Sequence, residues 1–221
     1  MTAPGRLQAE KRDAITRAAR IVFGRDGYAR AAIDAIATEA GVSTRTLYKH
    51  FASKDVLFAS VLEASATQVA DGFLALLRDV PGAGSADDVP RELRAVGHAL
   101  VRQAIDHPEH FAMVRQILAE STHFPEPVIT AWQEAGPRRV EREVARRLVA
   151  LDERGLLALP AVDRAVLHFL ALTTIEASPR PMKPAGHLGP ERTEEAVTAA
   201  VEVFLTGYTV SPCRSDPSTT R

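Results

Sequence analysis

The sequence predicts an all-α fold: a compact three-helix unit at the N-terminus, followed by a larger helical body. Three observations lead there. Apolar residues recur at i, i+3, i+4 and i+7 over most of the 221 residues. No segment alternates apolar and polar residues convincingly enough to be a half-buried strand. Glycine and proline clusters divide the periodic stretches from one another. A composition of 46% hydrophobic and 25% charged residues suits such a core.

The first helix is expected from about Ala9, after a flexible basic arm over residues 1–8. Ile15, Ala18, Ala19, Val22 and Phe23 mark its buried stripe. Gly27 ends it, and Tyr28 can fold back onto it. A second helix is expected over about Ala32–Ala40, with Ile33, Ile36 and Ala37 inward. Gly41 then suits a tight turn, because glycine reaches positive φ without a Cβ clash. Ser43 suits the N-cap of a third, short helix. On that helix Leu47 and Phe51 fall on one side, one turn apart. Arg45 and Lys49 form a basic pair on another side, with Tyr48 beside them.

Ser53 is a second N-cap position, and Asp55 in the following turn complements the helix dipole. The fourth helix is long, with helical spacing from Val56 to Leu77 and an end near Asp79. After a loop over Pro81–Ala86, Asp87 or Asp88 can cap a fifth helix, with Pro90 in its first turn. That helix ends near His107-Pro108, and a sixth covers about Glu109–Ser121. Val128, Ile129 and Trp132 open a seventh. Gly136-Pro137 interrupts it, either as a kink or as a break into two helices. An eighth is expected over Asp163–Ser178 and a ninth over Glu191–Thr209. A mobile proline-rich loop joins these two, and a disordered tail occupies 211–221.

Charge is unevenly placed. The net charge is −1, yet residues 1–54 hold ten Lys and Arg against five Asp and Glu. The N-terminal quarter is therefore +5 and the remainder −6. A basic head on an acidic body fits a local phosphate-binding surface. A solvated charged face would look the same by charge alone; the turn, the cap and the two-sided third helix favour major-groove binding.

These residues resemble the TetR family of transcriptional regulators. The likeness lies in Ala19–Phe23 through Gly27-Tyr28, in Ile36-Ala37, in Ala40–Ser43, in Thr46–Phe51 and in Ser53–Leu57. Phe124-Pro125, Gly136-Pro137-Arg138 and Arg154-Gly155-Leu156 faintly resemble the AefR-like C-terminal subtype. The resemblance implies a helix-turn-helix DNA-binding domain over 9–55 and a helical ligand-binding and dimerisation domain over 56–210. It implies a homodimer on a double-stranded DNA operator, released by a small-molecule effector. Thr44, Arg45 and Lys49 would face bases; Thr46, Tyr48, His50 and Lys54 would grip phosphates. Ala31-Ala32 depart from the family, which often has Thr or Ser there, so a cap and a phosphate contact are expected to be missing. Arg45 stands where glycine is frequent and could pair bidentately with guanine.

In the body, His98, Arg102, Phe111, Met113, Gln116 and Trp132 are the candidate effector contacts, with Phe124 and Thr130 as further ones. Plain core packing is the competing reading for the aromatics. Val166, Leu170, Thr173 and Thr174, with Ala196, Ala200, Val203 and Phe204, are the candidate dimer interface on the last two helices.

The excluded classes are broad. The lone Cys213 rules out an intrachain disulfide framework and a thiolate zinc cluster. His107 and His110 lack the companions of a metal site, so no metal and no cofactor are expected. There is no Gly-x-Ser-x-Gly elbow and no phosphate loop, which argues against an enzyme. No apolar run approaches the ~20 residues that span a bilayer, and no signal peptide is visible, so a cytoplasmic regulator without membrane contact is expected. The alternatives are a DNA-binding dimer without an effector, and a helical small-molecule enzyme or carrier.

Overall fold

The computed structural model describes residues 4–119, 124–176 and 189–209. Among them are ten α-helices and no strand. These are α1 (Pro4–Asp26), α2 (Ile33–Glu39), α3 (Thr44–His50), α4 (Lys54–Leu77), α5 (Val89–Asp106), α6 (Pro108–Ala119), α7 (Glu126–Ala135), α8 (Pro137–Glu153), α9 (Val162–Thr174) and α10 (Pro190–Tyr208). Helix α1 begins at Pro4, so the expected arm is already helical there; proline is favoured in a first turn, where its missing N–H has no partner to lose. Gly136-Pro137 makes a true break. Gly136 leaves helical geometry at φ −132° and ψ −79°, and α8 starts afresh on Pro137. The expected proline-rich loop and C-terminal tail, with Cys213 and His123, lie outside the described residues.

The chain forms two compact units. The first contains residues 1–72 and 103–140; the second contains 73–102 and 141–221. Helices α4, α5 and α8 each contribute to both.

The first unit is built around α1. Ile15, Ala19, Val22 and Phe23 are buried with Ile36, Leu47, Phe51, Leu57 and Phe58. Met113, Ile117 and Trp132 complete the same core. So the head is not three helices alone: α6 lies along α1 and α7 packs on α4. Close approach at the second contact is possible because Gly136 has no side chain. A Cβ there would stand 2.8 Å from the Ala66 Cβ and 3.0 Å from its carbonyl oxygen. Phe23, Tyr28, Phe58 and Phe124 form an aromatic cluster with centroid separations of 4.9–6.1 Å. Such offset and edge contacts add to the area they bury.

The second unit packs α5 against α9 and α10. A Cβ on Gly97 would meet Val197 at 2.8 Å and Thr173 at 3.3 Å, so α5 lies unusually close to both helices. Phe169 and Phe204 meet edge-on at 5.2 Å. A polar network holds the other side. Arg147, 6% exposed, donates to Glu92 at 2.9 Å, to Glu143 at 2.9 Å and to the Leu77 carbonyl at 2.7 Å. The second Glu92 oxygen accepts from the Ala83 N–H at 2.7 Å, and Arg154 donates to the Ala83 carbonyl at 2.7 Å. One guanidinium thereby caps the end of α4 and bridges two carboxylates, the second of which, Glu143, also pairs with Arg146 at 2.7 Å. The hydrogen bond from Arg146 holds Glu143 below the usual carboxylate range, against the opposing effect of its partial burial.

Candidate nucleic-acid interface

The third helix owes its position to three local devices. Gly41 adopts φ +64°, the left-handed conformation that the turn needs. Ser43 caps the helix: its hydroxyl oxygen accepts from the Thr46 N–H at 3.1 Å. Leu47 and Phe51 are buried beneath it. Helix α2 has no such cap. Ala32 makes no side-chain hydrogen bond to the first turn, as its missing hydroxyl predicts.

Contacts from distant residues then fix the helix ends. Arg12 on α1 donates to the His50 carbonyl at 3.3 Å, and its guanidinium lies 4.4 Å from the centre of the Phe51 ring. This satisfies one of the orphan carbonyls at the C-terminus of α3 and places positive charge where the helix dipole favours it. At the other end, the Thr44 hydroxyl donates to Asp34 of α2 at 2.8 Å. Behind α3, Tyr28 donates to Asp55, and Ser53 caps α4 by accepting from the Val56 N–H at 3.2 Å. Arg12, Asp34 and Tyr28 had no sequence signal for these roles, since each partner is 10–38 residues away.

The residues expected at DNA divide into three groups. Arg45, Tyr48 and Lys49 are exposed on α3, and their side chains make no hydrogen bond or ion pair with other described residues. Thr44, Thr46 and His50 are half-buried. Thr44 has spent its proton on Asp34, and Thr46 is within 2.9 Å of the Ser43 hydroxyl. Lys54 is already engaged, donating to the Ala29 carbonyl at 3.2 Å and standing 4.7 Å from the Tyr28 ring centre.

The expected effector contacts are split. Phe111, Met113, Gln116 and Trp132 belong to the first unit, His98 and Arg102 to the second. Met113 is fully buried in the core, and Trp132 is 8% exposed there. The Trp132 indole N–H has no acceptor among the described residues. Gln116 sits against Gly27, with its amide oxygen 3.0 Å from where a Cβ would be. Phe111 is half-buried, and His98 pairs with Glu194 at 2.8 Å. Arg102 and Thr130 are exposed. Of the expected interface residues, Val203 is exposed and Leu170 and Thr174 are half-buried. Val166, Thr173, Ala196, Ala200 and Phe204 are buried inside their own unit. The outward apolar positions beside them are Leu167 and Ala171 on α9 with Ile175 at its C-cap, and Ala199 with Val203 on α10.

A short capped helix, seated by an apolar face on two others and turning free basic side chains outward, defines a helix-turn-helix DNA-binding protein. Comparison with known proteins agrees. Residues 15–61 match the bacterial regulatory proteins of the tetR family, and residues 91–210 match the C-terminal domain of AefR-like transcriptional repressors. The chain belongs to the TetR family of transcriptional regulators. It is 33% identical over 122 residues to the HTH-type transcriptional activator FasR of Mycolicibacterium smegmatis. That match takes in 55% of this chain and spans about half of the relative, 51%. A structure from Mesorhizobium loti described as a TetR-family regulator is 28% identical, with a TM-score of 0.75 over 95% of this chain and 100% of that one. The flavonoid-responsive regulator FrrA is also 28% identical, with a TM-score of 0.62 over 92% of this chain and 100% of its own. Among the described residues no helix is long and apolar enough to cross a membrane.

Proposed function

We propose that this regulator is a homodimeric repressor that binds a roughly palindromic operator and is released by a small-molecule effector. The observation that carries the DNA reading is the outward, unengaged set Arg45, Tyr48 and Lys49 on α3. Two such helices would enter successive major grooves about 34–36 Å apart. Arg45 and Lys49 face bases. Thr44 does so as an acceptor and a methyl group, because its proton is held by Asp34. Thr46, Tyr48, His50 and Lys54 serve the backbone; Lys54 must share its ammonium between a phosphate and Ala29. The apolar row Leu167, Ala171 and Ile175, with Ala199 and Val203, supplies the pairing surface, and the buried residues behind it hold the two helices in register.

The effector reading is supported by the buried Trp132 N–H, which a ligand carrying a hydrogen-bond acceptor would satisfy. Flavonoids are the first class to try, given the response that FrrA's name records. An effector-free regulator is the second reading, favoured by the tight packing of Met113 and Trp132.

The experiment is selection of bound DNA from a random library, followed by gel-shift on the selected sequence with and without a flavonoid panel. A selected palindrome, weakened by flavonoid, is the expected result. Selection of an unrepeated half-site would overturn the dimer reading. Binding indifferent to every compound would favour the effector-free one. A promoter fusion to a reporter tests the sign: expression should rise when the gene for this chain is removed, and a fall would make the protein an activator.

A further inference from the structure

Within the first unit, a cleft of about 220 Å³ lies between α1 and α4. Its α1 side is Asp13, Thr16, Arg17 and Arg20; its α4 side includes Val61, Ser65 and Gln68. The two arginines are in different states. Arg20 donates to the Gln68 amide oxygen at 3.0 Å, which fixes its guanidinium across the cleft. Arg17 is exposed and makes no hydrogen bond or ion pair with other described residues. Asp13, one turn before it, is likewise unengaged, although i, i+4 spacing would allow the two to pair. The floor is polar too. Ser65 is 3% exposed and lies 3.0 Å from Nδ1 of the buried His110. Val61, 1% exposed, gives that floor an apolar strip. So one concavity offers an open guanidinium fork, a fixed second guanidinium, a buried hydroxyl, a carboxylate and a patch of hydrocarbon.

We propose that this cleft is a binding site for a small hydroxycarboxylate, held by its carboxylate on Arg17 and Arg20 and by its hydroxyl on Asp13. A guanidinium recognises a carboxylate through parallel N–H donors, a geometry that a lysine does not reproduce. Asp13 accepts from the ligand's hydroxyl and repels a second negative charge, which selects a monoanion. The volume admits a molecule the size of a single ring with its substituents. The site lies in the same unit as α3, so its occupant crosslinks α1, which carries the Arg12 clamp, to α4, which follows α3 in the chain. It is separate from Trp132, and its failure would leave the operator-binding reading untouched.

The test is calorimetric titration of the full chain with 4-hydroxybenzoate and lactate, alongside 4-hydroxybenzamide and inorganic phosphate. Saturable binding of at least one hydroxycarboxylate is expected, with the neutral amide failing to bind. Arg17→Gln should weaken it about tenfold or more, and Arg17→Lys should restore only part. Asp13→Asn should weaken 4-hydroxybenzoate more than benzoate, the same acid without the hydroxyl, titrated in parallel. Thermal unfolding without ligand should be the same for Arg17→Gln and wild type, which separates lost binding from lost folding. Absence of saturable binding by both acids would overturn the site, as would affinity unchanged in Arg17→Gln. Tight binding of phosphate with Arg17→Gln losing operator affinity would overturn it in favour of a DNA-backbone contact.

Discussion

At the scale of single residues, Arg45 and His110 show how exposure decides what a charge can do. Arg45 has no competing partner among the described residues, so its full donor fork is available to a base edge. Arg45→Ala should lose about 1–3 kcal/mol of discrimination at one or two base pairs while retaining affinity for scrambled DNA. Competition binding against single-base operator variants measures this; selectivity equal to wild type would remove Arg45 from the reading set. His110 is the opposite case. Burial, aided by the charges of His107 and Arg20, pushes its imidazole from 6.5 down to about 4. The folded state thus resists protonation more than the unfolded chain. His110 therefore costs no stability above about pH 6.5, and its burial should lower stability as pH falls towards 4, by up to about 3 kcal/mol. Urea midpoints across that range should fall more steeply for wild type than for His110→Gln. Parallel curves would mean that water reaches the imidazole.

At the scale of elements, what could be read in advance was what depends on neighbours in sequence. Gly41 and Ser43 are local devices, and the turn and cap appear where their chemistry demands them. The same locality explains the missing cap at Ala32. Ser43→Ala should cost about 1 kcal/mol of stability and lower operator affinity further through fraying of α3; an unchanged melting temperature would mean that burial of Leu47 and Phe51 suffices. What remained hidden was pairing at long range. Helical periodicity marked Met113 and Trp132 as inward, but cannot tell a wall of a cavity from the middle of a core. It likewise gave no hint that Arg147 would reach Glu92, 55 residues away, and the end of α4. Among the described residues Arg147 is the one cation within ion-pair distance of Glu92, so Arg147→Ala leaves a buried carboxylate without its salt-bridge partner. We expect a loss of about 3–5 kcal/mol by denaturant unfolding. Arg147→Met together with Glu92→Leu should recover much of it.

At the scale of the whole molecule, the exposed row on α9 and α10 bears on assembly. Leu167 is 62% exposed and Val203 60%, and the proposed dimer would cover both. Leu167→Glu should shift sedimentation towards monomer and weaken operator binding at least as much as loss of one half-site. A dimer unaffected by it would place pairing elsewhere. The sole tryptophan offers a way to watch such events. Trp132 is shielded from water in the core that joins α1, α4, α6 and α7, so its ultraviolet emission should be blue and poorly quenched by iodide. Every photon from indole in this protein then originates at one known place. A red shift on adding operator, flavonoid or acid would report loosening of that core directly, with no label attached.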